Sequence, residues 1–168
     1  VQNLGYSTES TPIVPNWTAT KEFLEIGDDR VPNIGNRCVR LLFVGWLEKF
    51  KGVHELLEAC AKLHQQGCEF ELTIAGDGNA RTYSEEFVKR SNLDNKVNFV
   101  GWVNQKMLTS LLASHEIFVL PSWAEGLPNA LIEAMAAGLA PVVTPVGMIA
   151  DFIQNEKHAL LVPPQNAD

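Results

Sequence analysis

From Cys38 onward the chain switches repeatedly between short apolar runs and segments with helical spacing, and that alternation leaves few possible architectures. CVRLLFV (38–44) is rich in β-branched and aromatic residues and stops at Gly45, as a buried strand does. Residues 53–66 carry apolar side chains at 53, 56, 57, 60 and 63, the spacing of one helix face, with Gly67 placed to end the helix. Further strands are expected at 69–75, closed by Gly76-Asp77-Gly78, and at 96–100, 116–120, 140–144 and 158–162. Helices are expected at 81–91, 104–114 behind an Asn104 cap, 128–137 with Pro128 in its first turn, and 147–154. Six strands alternating with five helices, several strands being almost wholly apolar, predict an open, doubly wound α/β domain with a parallel, Rossmann-like six-stranded sheet.

Length and charge narrow the class. A chain of 168 residues that is 46% hydrophobic and 20% charged fits one globular domain rather than a disordered segment. The net charge of −7 argues against a nucleic-acid partner and against a surface drawn to anionic lipid. Cys38, Cys60 and Cys68 form no CxxC pair, and His54, His64, His115 and His158 are scattered, so no metal site is expected and a reducing, cytoplasmic compartment is. No apolar run reaches membrane-spanning length, and no signal peptide is recognisable. Residues 1–37 are crowded with turn formers and read as a lead-in linker segment of the same domain, with one short strand near 13–14; residues 38–168 are the domain proper. A start at Val1 without Met reads as a domain excised from a longer protein.

In open α/β sheets ligands bind beyond the carboxyl ends of the strands, where the strand order reverses. With the order 3-2-1-4-5-6, GWLEKFKG (45–52) after strand one would face PSWAEGLPN (121–129) after strand four. Lys49 and Lys51 lie in the first loop. In the second, Glu125 and Gly126 precede a helix start whose free N–H groups suit a phosphate. Between residues 117 and 150 only Glu125 and Glu133 are charged. A carboxylate in so apolar a segment needs donors, and the hydroxyls of a ribose and of a sugar would supply them. Neither a Walker loop nor a dinucleotide fingerprint is present.

EGLPNALIEAMAAGLAPVVTPVG (125–147) resembles the Glu-x7-Glu segment, small-residue helix and following strand of the retaining GT-B glycosyltransferases of family 4, or group 1, type. PIVPNWTATKEF (12–23), FVGWLEKFKG (43–52), IAGDGN (74–79), VNFVGWV (97–103) and IFVLPS (117–122) resemble further motifs of that family in the same order. The resemblance runs from about Ile13 to Pro163 and is to the C-terminal, donor-binding half of the GT-B fold.

The resemblance implies a hexosyltransferase-type enzyme that moves a sugar from a nucleoside-diphosphate sugar with retention, in polysaccharide or glycolipid biosynthesis. Lys51 would contact the diphosphate, Glu125 the transferred sugar and Glu133 the ribose. Gly126, Leu127 and Pro128 would offer contacts near the distal phosphate or the sugar. Gly101, Trp102 and Val103 would lie beside the base, and Gly45 and Trp46 would border the donor. Glu125 and Lys51 are the catalytic candidates. No cofactor and no metal are implied, because the nucleotide sugar is itself the substrate. The partners implied are that donor and an N-terminal acceptor domain absent from this chain, so the chain alone is expected to be inactive. Membrane contact, at the inner face, would fall to the absent part. Three departures stand out: Trp46 replaces the usual arginine, Trp17-Thr18-Ala19 replaces Gly-Val-Asp, and Met148 replaces a second glycine. The alternatives are a GT-B-type nucleotide-sugar epimerase, or a degenerate, non-catalytic α/β binding module.

Overall fold

The structure, a computed structural model, describes residues 20–31 and 38–168. Six strands form one sheet: β1 (Val39–Val44), β2 (Phe70–Ala75), β3 (Val97–Gly101), β4 (Ile117–Leu120), β5 (Ala140–Val143) and β6 (Leu160–Leu161). Every pairing is parallel, as the alternation predicted, and the order is β3-β2-β1-β4-β5-β6, the one supposed above. The chain therefore starts mid-sheet, builds toward one edge, crosses back and builds toward the other. The crossover helices are α2 (Val53–Gln65), α3 (Arg81–Arg90), α4 (Gln105–Ser114), α5 (Asn129–Ala136) and the single turn α6 (Ile149–Phe152). Right-handed crossovers in opposite directions put α2 and α3 on one face, and α4 and α5 on the other.

The core follows from that layering. Leu41, Leu42 and Phe43 of β1 are buried together with Leu72 and Ile74 of β2 and Phe118 and Leu120 of β4. They meet Leu56, Leu57 and Cys60 of α2 and Leu131 and Ala134 of α5. Covered on both sides, the central strands have no solvent face on which to alternate polar residues. Cys60 is a core filler, and burial pushes its thiol up to about 12. Cys68 is exposed and Cys38 half-buried.

One helix departs from the sequence expectation. Residues 21–28 lie in the turn-rich segment read as linker, yet α1 (Lys21–Asp28) forms there and packs on α4 and α5. Phe23 is fully buried and Ile26, three residues on, packs beside it, while Glu22 and Glu25 face out. The strand expected near residues 13–14 lies outside the described residues.

Arg30 completes this docking. Its guanidinium donates to the carbonyls of Ala137 (2.8 Å), His115 (2.7 Å) and Leu112 (2.5 Å), the orphan acceptors at the ends of α5 and α4. The desolvation that accompanies this lowers the arginine's pKa. Arg30→Met removes all three donors while keeping most of the stem. It is expected to cost about 2–4 kcal/mol of stability, read as a lower denaturant midpoint at unchanged slope.

Candidate functional site

The loops after β1 and β4 meet at the carboxyl edge of the sheet. After β1 the chain makes a 3-10 turn, Lys49–Lys51, ended by Gly52 in the left-handed region at φ 70°. A Cβ on Gly52 would stand 2.0 Å from the carbonyl oxygen of Pro121, so only glycine lets the two loops close up. The closure is tied by the backbone N–H of Trp123, which donates to the carbonyl of Phe50 at 2.7 Å, and by the indole N–H of Trp123, which donates to Glu55 Oε1 at 3.1 Å.

Within that junction Lys51 Nζ sits 2.7 Å from Glu125 Oε1, and Ser122 Oγ donates to the same oxygen at 2.7 Å. The side chains of Lys51 and Glu125 are only 17% and 7% exposed, so the pair is largely shielded from solvent. Ser122 is fully buried, and its carbonyl accepts from the hydroxyl of Thr144. The backbone of Glu125 is fixed from a third side by the loop after β5. Met148 N–H donates to Gly126 O at 3.2 Å, and a Cβ on Gly147 would stand 1.8 Å from Glu125 O.

An open cleft of about 320 Å³ lies over this pair. Gly45, Trp46 and Lys51 line it from the β1 side, and Glu125, Leu127, Pro128, Asn129 and Ala130 from the β4 side. Helix α5 begins on its wall with Pro128 as N-cap, and no side chain caps its first turn. The positive end of the helix therefore opens onto the cleft beside a lysine. A Cβ added to Gly126 would meet nothing within 4 Å, so its surroundings are open to a ligand. Among the described residues lining the cleft, Lys51 is the one cation and Glu125 the one anion.

The expected site residues divide on their placement. Gly45, Trp46, Lys51, Glu125, Leu127 and Pro128 line the cleft together, and Gly126 adjoins them. Lys51 does not reach into empty space, as a free phosphate-binding lysine would, but onto Glu125. Gly101, Trp102 and Val103 are outside the lining, though Trp102 comes within 5.2 Å of Trp46, ring centre to ring centre. Trp46 and Trp102 are 56% and 68% exposed, an apolar ledge beside the cleft rather than core. Glu133 also lies outside the lining, half-buried on α5. Sequence reasoning missed Ser122, Asn129, Ala130 and the Trp123–Glu55 bond. The position of Ser122 two residues past the β4 end was the one signal for it. Lys49, the other lysine of the loop, lies over the ring of Trp123 at 5.4 Å. His115 is structural, its ring nitrogens facing Leu111 O and Thr73 Oγ1.

Burial pushes the Glu133 carboxyl above its ordinary pKa. The folded chain thus holds that proton more tightly than the unfolded chain. Ionised Glu133 is a destabilising charge whose effect sets in as pH rises through the carboxylate range and is absent below it. Glu133→Gln is expected to raise Tm at neutral pH, with the gain vanishing in acid. Thermal melts of both proteins from pH 3 to 8 check this.

A larger cavity, about 1130 Å³, opens at the opposite edge of the sheet, between α1 and the starts of β1, β4 and β5. Among its described lining residues, Glu22, Glu25, Asp29 and Glu116 outnumber Arg30 and Arg40, and both arginines are engaged. It is a poor seat for an anion.

Residues 38–168 match the family described as Glycosyl transferases group 1. An uncharacterized glycosyltransferase of Methanocaldococcus jannaschii, MJ1607, is 37% identical over 128 residues, covering 76% of this chain and 33% of that protein. The amylovoran biosynthesis glycosyltransferase AmsK of Erwinia amylovora is 35% identical over 135 residues, covering 77% of this chain and 33% of that one. The chain thus spans about a third of the length of these curated relatives. Among solved structures, Anabaena HepE in complex with UDP and glucose superposes with a TM-score of 0.68 at 20% identity, covering 89% of this chain and 40% of HepE.

Proposed function

Because the chain belongs to the group 1 glycosyltransferases, we propose that it holds the nucleotide-sugar donor of such an enzyme, with the diphosphate at the start of α5. The observation that carries this reading is the meeting of Lys51, Glu125 and the uncapped first turn of α5 on one cleft. Lys51 and the N–H groups of that turn would take up the charge that develops on the departing nucleoside diphosphate. No metal is needed in this scheme, because the lysine and the helix end supply the positive charge. Glu125 would accept hydrogen bonds from hydroxyls of the transferred sugar. The Trp46–Trp102 ledge offers a face on which a base can stack, and Gly101 and Val103 flank it. Glu133, four residues beyond Asn129 on the same helix, would accept hydrogen bonds from the ribose. HepE, a protein of the same fold, was captured with UDP and glucose, which supports a nucleotide-sugar donor here. AmsK is named for biosynthesis of a polysaccharide, which supports a polysaccharide or glycolipid product, and retention of configuration is part of the same proposal. The acceptor would be bound by a further domain of the whole enzyme.

An epimerase on this scaffold would need a second acid–base group, and Glu125 is the one carboxyl lining the cleft among the described residues. The whole enzyme, incubated with a nucleotide sugar and no acceptor, is expected to yield no epimer. The direct test is calorimetry of the enzyme with UDP, GDP and ADP. Saturable binding of at least one is expected, and binding of none would overturn the proposal.

A further inference from the structure

The cleft proposed to bind a diphosphate has no spare positive side chain among its described lining residues. Its lysine is already neutralised by Glu125 at 2.7 Å, in a setting where both side chains are largely shielded. Trp46 stands where a second cation would help and contributes none. A ligand carrying two phosphates must therefore compete with Glu125 for Lys51. If Lys51 turns to the phosphates, Glu125 keeps Ser122 as its one remaining hydrogen-bond donor among the described residues. A shielded carboxylate stripped of its cation is costly unless another donor replaces it.

The two ligands of a transfer cycle differ in what they offer Glu125. A nucleotide sugar brings sugar hydroxyls, which can donate to the carboxylate that Lys51 vacates. A free nucleoside diphosphate brings none, and its terminal phosphate adds further negative charge close to the same carboxylate. We propose that Glu125 is a specificity residue that acts as the built-in counter-ion of Lys51, so that the cleft binds the sugar-bearing donor more tightly than the spent diphosphate. This rests on the donor-binding reading and deepens it: the pair becomes a device that disfavours product occupancy as well as a contact to the sugar. Ser122 and the Gly147 turn keep the carboxylate fixed in position for that competition.

The test is calorimetric, with three matched pairs of probes: UDP and UDP-glucose, GDP and GDP-mannose, ADP and ADP-glucose. For whichever pair the enzyme binds, Glu125→Gln is expected to tighten the free diphosphate about tenfold, equal to about 1.4 kcal/mol, while the nucleotide sugar gains nothing or weakens. A general disturbance of the site would weaken both ligands together, so opposite movement separates the two explanations. Glu125→Gln weakening both equally, or leaving the free diphosphate unchanged, overturns the inference and leaves the donor reading standing. Failure of every diphosphate to bind either protein overturns both. A second comparison guards against a poorly folded variant. The double variant Lys51→Gln/Glu125→Gln is expected to lose the tightening seen with Glu125→Gln alone, because no lysine remains to be released. A double variant that still binds the free diphosphate more tightly than the native protein contradicts the counter-ion role.

Discussion

Lys51→Met is expected to weaken nucleoside-diphosphate binding by about 100-fold, combining a lost charged hydrogen bond worth about 1.5–3 kcal/mol with an unmasked like charge. The like charge is Glu125, only 7% exposed, which the substitution leaves facing the phosphates with Ser122 as its remaining partner among the described residues. The same variant is expected to lose about 3 kcal/mol of stability, because removing one member of a shielded ion pair strands the other. The double variant Lys51→Met/Glu125→Gln separates the two effects. It should regain most of the lost stability, since no charge is stranded, and should still bind poorly, since no cation remains. Chemical denaturation and calorimetry on the three proteins provide both readings.

Gly147→Ala is expected to cost about 2–5 kcal/mol, the sum of a left-handed backbone penalty and overpacking against an atom that cannot move aside. The glycine has φ 55°, and the added methyl would sit 1.8 Å from the carbonyl oxygen of Glu125. At about 2–4 °C per kcal/mol for a chain of this size, Tm should fall by roughly 4–20 °C. The consequence for function comes from which atom is struck. Moving the backbone of Glu125 disturbs its contacts with both Lys51 and Ser122, so nucleotide-sugar affinity should fall in protein that is still folded at low temperature. Gly67→Ala is the matched control. That glycine is also left-handed, at φ 75°, but has open space around it, so the conformational penalty applies without the collision. Affinity measured at about 10 °C, where both variants stay folded, should drop for the first and stay unchanged for the second.

The sheet was legible in the sequence because each strand is short, apolar and stopped by a glycine or proline. Hydrophobic periodicity also marked the helix after β1, whereas the helix expected at 147–154 forms only the single turn Ile149–Phe152. The strand order was supposed from what is common in doubly wound sheets, and the meeting of the two unusual loops followed from it. What was hidden depends on contacts between distant segments. No spacing rule relates residue 51 to residue 125, and their ion pair exists because β1 and β4 are neighbours. Trp46 and Trp102 end strands two places apart, roughly 9–10 Å, and approach each other beyond the end of β2, where Gly76 carries no side chain. Helix α1 was masked by Gly27, Asp28 and Asp29, which read locally as a turn, whereas its formation depends on burying Phe23 against α4 and α5. Glu133 was expected near the ribose because a carboxylate in an apolar segment needs donors and because the family resemblance implies that role. Four residues beyond Asn129 it lies about 6 Å further along the axis, which carries it past the rim of the cleft.

A crystal structure of the chain with a bound nucleoside diphosphate tests the central claim most directly. It should show the two phosphates at the first turn of α5, within hydrogen-bonding distance of Lys51 Nζ, and the contact between Lys51 and Glu125 opened or shared. A nucleotide seated elsewhere, such as the groove between α1 and Arg40, with the Lys51–Glu125 pair undisturbed, would contradict it.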